Sequence, residues 1–373
     1  MIDTISLVLS ERNYKILDTS KFKLITSQRG VSRRVLNPTK QDYTKGLHYP
    51  RLTLINRFNR GGWQEQTLQI QVSLPKMLYG NNFDELSESD FEEVLAKFVT
   101  FLDLRGIEVH SEDLRKARVR TIHYGKNFVY TDGTTPKMVI DKIAQGNYSL
   151  RLDTEMTKYR NNGLNWKLHT NSWELAFYDK KAELQKAKIS EARSEEKDSA
   201  EQMKLFDEPK KYRPFEVLRM ELRLNNRVKI KHAFKLANIE VPLTFENMYA
   251  ENVTKKILQH YLGMVEDARP KLLDYRASSD DDALAELSIK NHALSPANML
   301  AIAYLKYKID HGDTLRAIRE TVTNGADWQG RRLMKQAKEA HVSQNEQPFA
   351  YLWSEIREYK ATRLADYDIT IFE

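Results

Sequence analysis

Two short runs carry the residues best suited to chemistry. In Asn171-Ser-Trp-Glu-Leu-Ala-Phe-Tyr-Asp-Lys-Lys-Ala-Glu-Leu184, a strand period of two puts Trp173, Leu175 and Phe177 on one face and Glu174, Ala176, Tyr178 and Lys180 on the other. In Glu216-Val-Leu-Arg-Met-Glu-Leu-Arg-Leu224, the apolar face is Leu218, Met220, Leu222 and Leu224, so Arg219, Glu221 and Arg223 project from the opposite side. If the two strands share a sheet, a tyrosine, a lysine, a carboxylate and two arginines converge. That set suits attack on a phosphodiester: a hydroxyl nucleophile, a metal ligand, and cations for the charge that develops. The same pattern also describes an amphipathic sheet with a solvated polar face. A third run, Gln66-Thr-Leu-Gln-Ile-Gln-Val-Ser-Leu74, sends Leu68, Ile70, Val72 and Leu74 to the core and leaves Gln69, Gln71 and Ser73 on the other face. There an amide oxygen could ligate a metal or simply meet solvent.

Composition narrows the chemistry. The chain has 373 residues, 41% hydrophobic and 30% charged, the makeup of a protein with a real core. No run of about eighteen apolar residues is present and the first residues lack a signal-peptide pattern, so a cytoplasmic protein with no membrane partner is expected. Cysteine is absent, which excludes disulfides, thiolate zinc sites and cysteine nucleophiles. A metal would have to use His, Asp, Glu or Gln, a set that favours Mg²⁺ or Mn²⁺. A net charge of +7 and clustered basic residues, Arg29, Arg33, Arg34, Arg51, Arg57 and Arg60, then Arg115, Lys116, Arg118 and Arg120, then Arg331, Arg332 and Lys335, point to a polyanionic partner.

The elements that must position these groups follow in order. Ile2 to Leu9 reads as a strand with Asp3, Ile5, Leu7 and Leu9 on one face, and a polar basic stretch follows it. Arg51 to Phe58 and Gln66 to Leu74 read as a hairpin about the glycine turn at 59–62. A capping box at Ser89 to Glu92 opens a helix to Leu104, stopped by Gly106. Ala117 to Tyr124 reads as a strand and Thr135 to Gly146 as a helix. Residues 181–213 form a charged, exposed insertion. Beyond Asn225 the pattern is helical, with helices over 297–309, 313–322 and 328–338 fitting a helix-turn-helix within 296–340, whose last helix would carry Arg331, Arg332 and Lys335 to DNA; a plain helical bundle fits too. The expected fold is α+β, a central antiparallel sheet with helices packed on it over 1–227, followed by an all-helical DNA-binding region over 228–373.

Several of these pieces, in the same order, resemble the gene II/gene X type replication initiators of filamentous phages, nicking enzymes of rolling-circle replication. They are the Met-Ile-Asp start, His48-Tyr49, Ser73-Leu-Pro-Lys-Met-Leu-Tyr-Gly-Asn-Asn82, Ile122-His123, Phe177 to Leu184, Leu218 to Leu224, and the Tyr307 to Lys335 region. The resemblance implies a divergent sheet of the His-hydrophobe-His endonuclease kind. In it Tyr178 takes the 5′ phosphate, Lys180 is the neighbouring lysine and Glu221 a carboxylate facing the site. Where family members carry Arg-Ile-Asp, this chain has Thr121-Ile122-His123, so His123 takes the metal-ligand place, with Gln71 and Glu183 as further ligand candidates; His48 is another histidine to place.

The implied function is an initiator that binds duplex origin DNA, melts it, and nicks one single strand by tyrosine transesterification. This leaves a 5′-phosphotyrosine link and a free 3′-OH for host polymerase while host helicase unwinds. Mg²⁺ or Mn²⁺ on His123 and Glu221 would polarise the phosphate, Lys180 or Arg219 would neutralise added charge, and Arg115, Arg118, Arg120 and the C-terminal helices would hold DNA, in a monomer or an oligomer. Two rivals share much of this: a conjugative relaxase, and a DNA-binding repressor that keeps the fold without the chemistry.

Overall fold

The fold comes from a computed structural model that describes the chain except residues 29, 59–63, 147, 149–157, 161–163, 170–172, 188–214, 324–326, 343–346 and 368–373. The glycine turn at 59–62, most of the charged insertion and the turn before the last of the three C-terminal helices therefore lie outside the described residues.

The strands are β1 (Ile2–Ser10), β2 (Lys15–Ile16), β3 (Lys23–Gln28), β4 (Val31–Leu36), β5 (Arg51–Phe58), β6 (Gln64–Ser73), β7 (Ile107–Glu108), β8 (Arg118–Tyr130), β9 (Lys158–Arg160), β10 (Asn165–His169), β11 (Trp173–Asp179) and β12 (Glu216–Leu224). Ten of them form one sheet in the order β3-β4-β5-β6-β1-β8-β12-β11-β10-β9, every neighbouring pair antiparallel. Strict alternation explains the central strands. Leu218, Met220, Leu222 and Leu224 of β12, Leu175 and Phe177 of β11, and Leu68 and Ile70 of β6 are all wholly buried on one face. Helix 91–104 lays Phe91, Val94, Leu95, Phe98 and Leu102 into the same apolar cluster.

Local differences from the sequence reading have physical causes. The capping box before helix 91–104 is Ser87 with Asp90, not Ser89 with Glu92, because a short 3₁₀ turn at Glu88–Asp90 precedes the helix. β8 runs on to Tyr130, well past the expected end at Tyr124. Gly125-Lys-Asn127 looks like a turn in sequence, but β12 pairs with it continuously from Ile122 to Tyr130. β3 and β4 form a hairpin inside the stretch read as merely polar; with Leu24 and Ile25 each 60% exposed, neither face gives an apolar alternation to find. Within β1, the register shifts between Ile2 and Ile5, both of which face the core, and this bulge turns Asp3 out of the apolar row expected for it.

The sheet core does not stop at residue 227. Ile230 and Phe234 of helix 227–236, Ile257, Leu258 and Leu262 of helix 251–267, and Phe349, Leu352, Ile356 and Tyr359 at the far end of the chain share its apolar cluster. Helices 296–310, 315–323 and 327–339 stand where the sequence predicts them, and together with Leu272, Leu273 and Leu287 they close a separate cluster around Ile302, Leu305, Ile309, Leu315, Ile318 and Met334. A helical unit is thus inserted between two parts of one core. Its stems meet where the Arg269 guanidinium sits 5.0 Å from the Phe349 ring centre and pairs with Asp274 at 2.9 Å. No helix among the described residues is long and apolar enough to cross a membrane.

Candidate active site

Pairing of β11 with β12 sets Tyr178 opposite Arg219, Ala176 opposite Glu221 and Glu174 opposite Arg223; pairing of β12 with β8 sets Glu221 opposite Gly125 and Arg223 opposite His123. Antiparallel partners share a face, so these groups meet on the side away from the apolar cluster. The small residues Ala176 and Gly125 flank Glu221 on either side and leave it room.

Glu221 is the hub. The Tyr178 hydroxyl donates to Glu221 Oε2 at 2.8 Å, while Arg223 donates Nε to Oε1 at 2.8 Å and Nη2 to Oε2 at 3.0 Å. His123 Nδ1 stands 3.5 Å from Oε1. Burial works against the Glu221 charge, but Arg223 and His123 outweigh it and hold the carboxyl well below the usual carboxylate range. Burial, reinforced by Glu183 and Glu221, pushes the Tyr178 phenol well above its ordinary value. The result is a protonated phenol hydrogen-bonded to a charged carboxylate.

The arginines differ in kind. Arg219 donates Nη1 to Asn127 Oδ1 at 2.8 Å and Nη2 to Asp3 Oδ2 at 2.7 Å, and its side chain is 3% exposed. It lies across Gly125 so closely that a Cβ there would come within 2.6 Å of Nη2. Arg223 spans Glu221 and Glu174 and keeps 32% of its side chain exposed. Lys180 is buried, 5.8 Å from the Tyr178 ring centre, with Nζ donating to Glu183 at 3.0 Å. Arg219 is therefore framework, and Arg223 is the more exposed of the two cations.

Behind Arg219 a buried network reaches the far end of the chain. β1 pairs with β8 as far as Tyr124, Met1 carries the pairing on to Gly125, and beyond it the Glu85 carboxylate takes over, accepting from the Asn127 N–H. Glu85 Oε2 also accepts from Lys126 Nζ at 3.1 Å and Thr362 N at 3.0 Å, and Lys126 donates to Thr362 Oγ1 at 3.1 Å. The segment around Thr362 thus finishes the edge that β1 leaves open.

Of the ligand candidates, His123 and Glu221 come together. Glu183 is turned to Lys180, and Gln71, in β6, stands three strand spacings from β12, roughly 14 Å. Among the described residues no group of three or more His, Asp or Glu side chains is arranged to hold a metal ion. His48 is buried beside the Tyr43 ring, with centroids 5.8 Å apart.

Of the DNA-contact candidates, Arg115 is caged by Glu92, Glu112 and Glu246 at 2.9, 3.3 and 2.8 Å and lies over Phe91, so it ties elements together. Arg118 and Arg120 are exposed. Arg331, Arg332 and Lys335 are exposed on helix 327–339, whose Met334 and Ala337 are buried.

Sequence reasoning missed Asp3, Asn127, Glu85 and Thr362. Only Asp3 left a signal, as a carboxylate inside an otherwise apolar strand.

No curated protein and no solved structure matches the chain. The family model for the N-terminal region of the phage replication-associated protein of the gene II type does match, over residues 1–251, a span that holds β1 through β12 and every residue of the Tyr178–Glu221 cluster, and the chain belongs to that family.

Proposed function

We propose that this phage replication-associated protein is a replication initiator that nicks one strand of its origin DNA through Tyr178. The observation that supports the reading is the buried 2.8 Å hydrogen bond from the Tyr178 hydroxyl to Glu221. In the proposed step the Tyr178 oxygen attacks phosphorus, its proton passes to Glu221 Oε2, and the bond from phosphorus to the 3′ oxygen breaks. The strand then carries a 5′-phosphotyrosine, and the departing oxygen takes up a proton to become the 3′-OH that host polymerase would extend while a host helicase unwinds the duplex. Arg223, at the exposed side of the cluster, meets the phosphate oxygens as charge builds on them. Asp3 and Asn127 fix Arg219, which in turn keeps β12 in register against β8.

His123 Nδ1 and Glu221 Oε1, 3.5 Å apart, are the two donors that would hold a divalent cation such as Mg²⁺ or Mn²⁺, with phosphate oxygens and water completing its shell. When bound, such an ion supplies Lewis-acid stabilisation of the phosphate. The test is incubation with supercoiled origin plasmid and Mn²⁺. A nicked circle carrying covalently attached protein is expected, and its loss in excess chelator supports the ion. Closed plasmid with no attached protein would overturn the reading.

A further inference from the structure

The ten-stranded sheet ends on one side at β3, and the far edge of that strand pairs with no other strand among the described residues. Lys23, Leu24, Ile25, Thr26 and Ser27 are exposed in an unbroken run, Leu24 and Ile25 each by 60%. Every second residue of such an edge turns its N–H and C=O outward, a template for one more strand. Register gives the faces. Leu24 stands opposite Arg34 and Arg34 opposite Leu54, so Leu24 belongs to the face that buries Leu54 and Leu68 further in, at a place where that face is bare. The register slips by one residue between Leu24 and Thr26, which leaves Ile25 as a bulge with no register partner on β4. Charge is one-sided here: residues 19–41 hold six Lys and Arg and no Asp or Glu, and Lys21, Lys23, Arg33 and Arg34 are exposed.

We propose that the open edge of β3 takes an extended segment of a partner protein as an added strand, one in which acidic residues alternate with apolar ones. The backbone row supplies the pairing, Leu24 and Ile25 supply apolar contact, and the cations of the hairpin meet the acidic side chains. A second copy of the same edge is the wrong occupant, because pairing it would set Lys21, Lys23, Arg33 and Arg34 against their own kind. A nucleic acid could use the cations, but it has no use for an open row of N–H and C=O groups or for two apolar side chains. The six residues of β3 span about 20 Å at ~3.3 Å each, and so match a partner segment of about six residues.

Fluorescence anisotropy with the full chain tests this. The probes are a labelled peptide of about ten residues alternating Glu and Val, the same peptide N-methylated throughout, its Lys-Val counterpart, and a mixed-sequence DNA duplex. Saturable binding of the Glu-Val peptide is expected, about tenfold or more tighter than either control peptide, since N-methylation removes the donors of the incoming strand and lysine repels the hairpin. Leu24→Ser with Ile25→Ser is expected to weaken that binding about tenfold. The same variant should keep wild-type duplex affinity and wild-type nicking of origin plasmid, because neither side chain carries charge or belongs to the Tyr178 cluster. Arg33→Glu with Arg34→Glu should weaken peptide binding by about tenfold or more. Hydrogen exchange should show slowed amides over 23–28 when the Glu-Val peptide is bound. No saturable binding of that peptide, equal binding of its N-methylated form, or wild-type peptide affinity in Leu24→Ser with Ile25→Ser would overturn the proposal. Loss of duplex binding in place of peptide binding in that variant would overturn it in favour of a hairpin that contacts DNA.

Discussion

At the scale of single residues, one carboxylate, Glu221, gathers three partners, Tyr178, Arg223 and His123. Glu221→Gln keeps the shape of the side chain but removes the charge that accepts the phenol proton, so nicking should fall by about 100-fold or more while DNA affinity holds. Steady-state nicking assays beside binding isotherms check this. Glu221 and Asp3 also tie stability to pH, since both are held below their ordinary values by arginines that outweigh the effect of burial. A carboxyl with a depressed folded value stabilises the fold above its unfolded value, near pH 4, and that contribution is lost as pH falls through the folded value. Urea midpoints should therefore fall steeply below about pH 4, and less steeply in Glu221→Gln. Gly125→Ala probes the framework. Its new methyl would meet the Arg219 guanidinium, whose Cζ lies 2.9 Å from the Cβ position, and displace it from Asp3, at a cost of about 1–3 kcal/mol in urea unfolding.

At the scale of elements, what could be read from sequence depended on how regular each strand is. β11 and β12 were legible because Leu175, Phe177, Leu218, Met220, Leu222 and Leu224 alternate without a break, and, given that the two strands pair, that puts Tyr178, Arg219 and Glu221 on one face. Asp3 was misplaced because a bulge obeys no period. The second half of β8 was missed because Gly125, Lys126 and Asn127 are turn-like by type and strand by context: Gly125 makes room for Arg219, and Lys126 and Asn127 are satisfied by residues far off in sequence. Thr362 could not be seen for the same reason. Thr362→Val removes the buried hydroxyl that accepts a hydrogen bond from Lys126, and it should destabilise the fold by about 1–3 kcal/mol. Chemical denaturation measures it, and an unchanged midpoint would show that the segment contributes only its backbone.

At the scale of the whole molecule, the inserted helical unit changes what a fragment can be. A chain ending near Asn225, at the boundary drawn from sequence, loses Phe349, Leu352, Ile356 and Tyr359 from the sheet core. At about 1.5–3 kcal/mol for each buried side chain, the sum matches the entire stability of a typical domain. That fragment should not fold cooperatively. Excising 275–345 and joining the stems with a flexible linker should instead leave a folded sheet unit, because Arg269 already touches Phe349 and keeps its Asp274 partner. It should cleave single-stranded origin oligonucleotide and lose preference for duplex origin, since Arg331, Arg332 and Lys335 go with the excised unit. Electrophoretic mobility shifts on both substrates check this, and duplex preference retained by the excised form would move origin reading to the sheet.

The central claim is that Tyr178, of the 18 tyrosines in the chain, is the nucleophile. Tyr178→Phe removes one oxygen and its bond to Glu221 while leaving the ring in place. The most direct measurement is mass spectrometry of the peptide left attached to DNA after wild-type protein acts on origin plasmid, run beside that variant. A nucleotide-linked peptide containing Tyr178 is expected in the wild type, and a folded, DNA-binding variant that forms no adduct. An adduct on another tyrosine such as Tyr124, Tyr159 or Tyr212, or normal nicking by Tyr178→Phe, would contradict it.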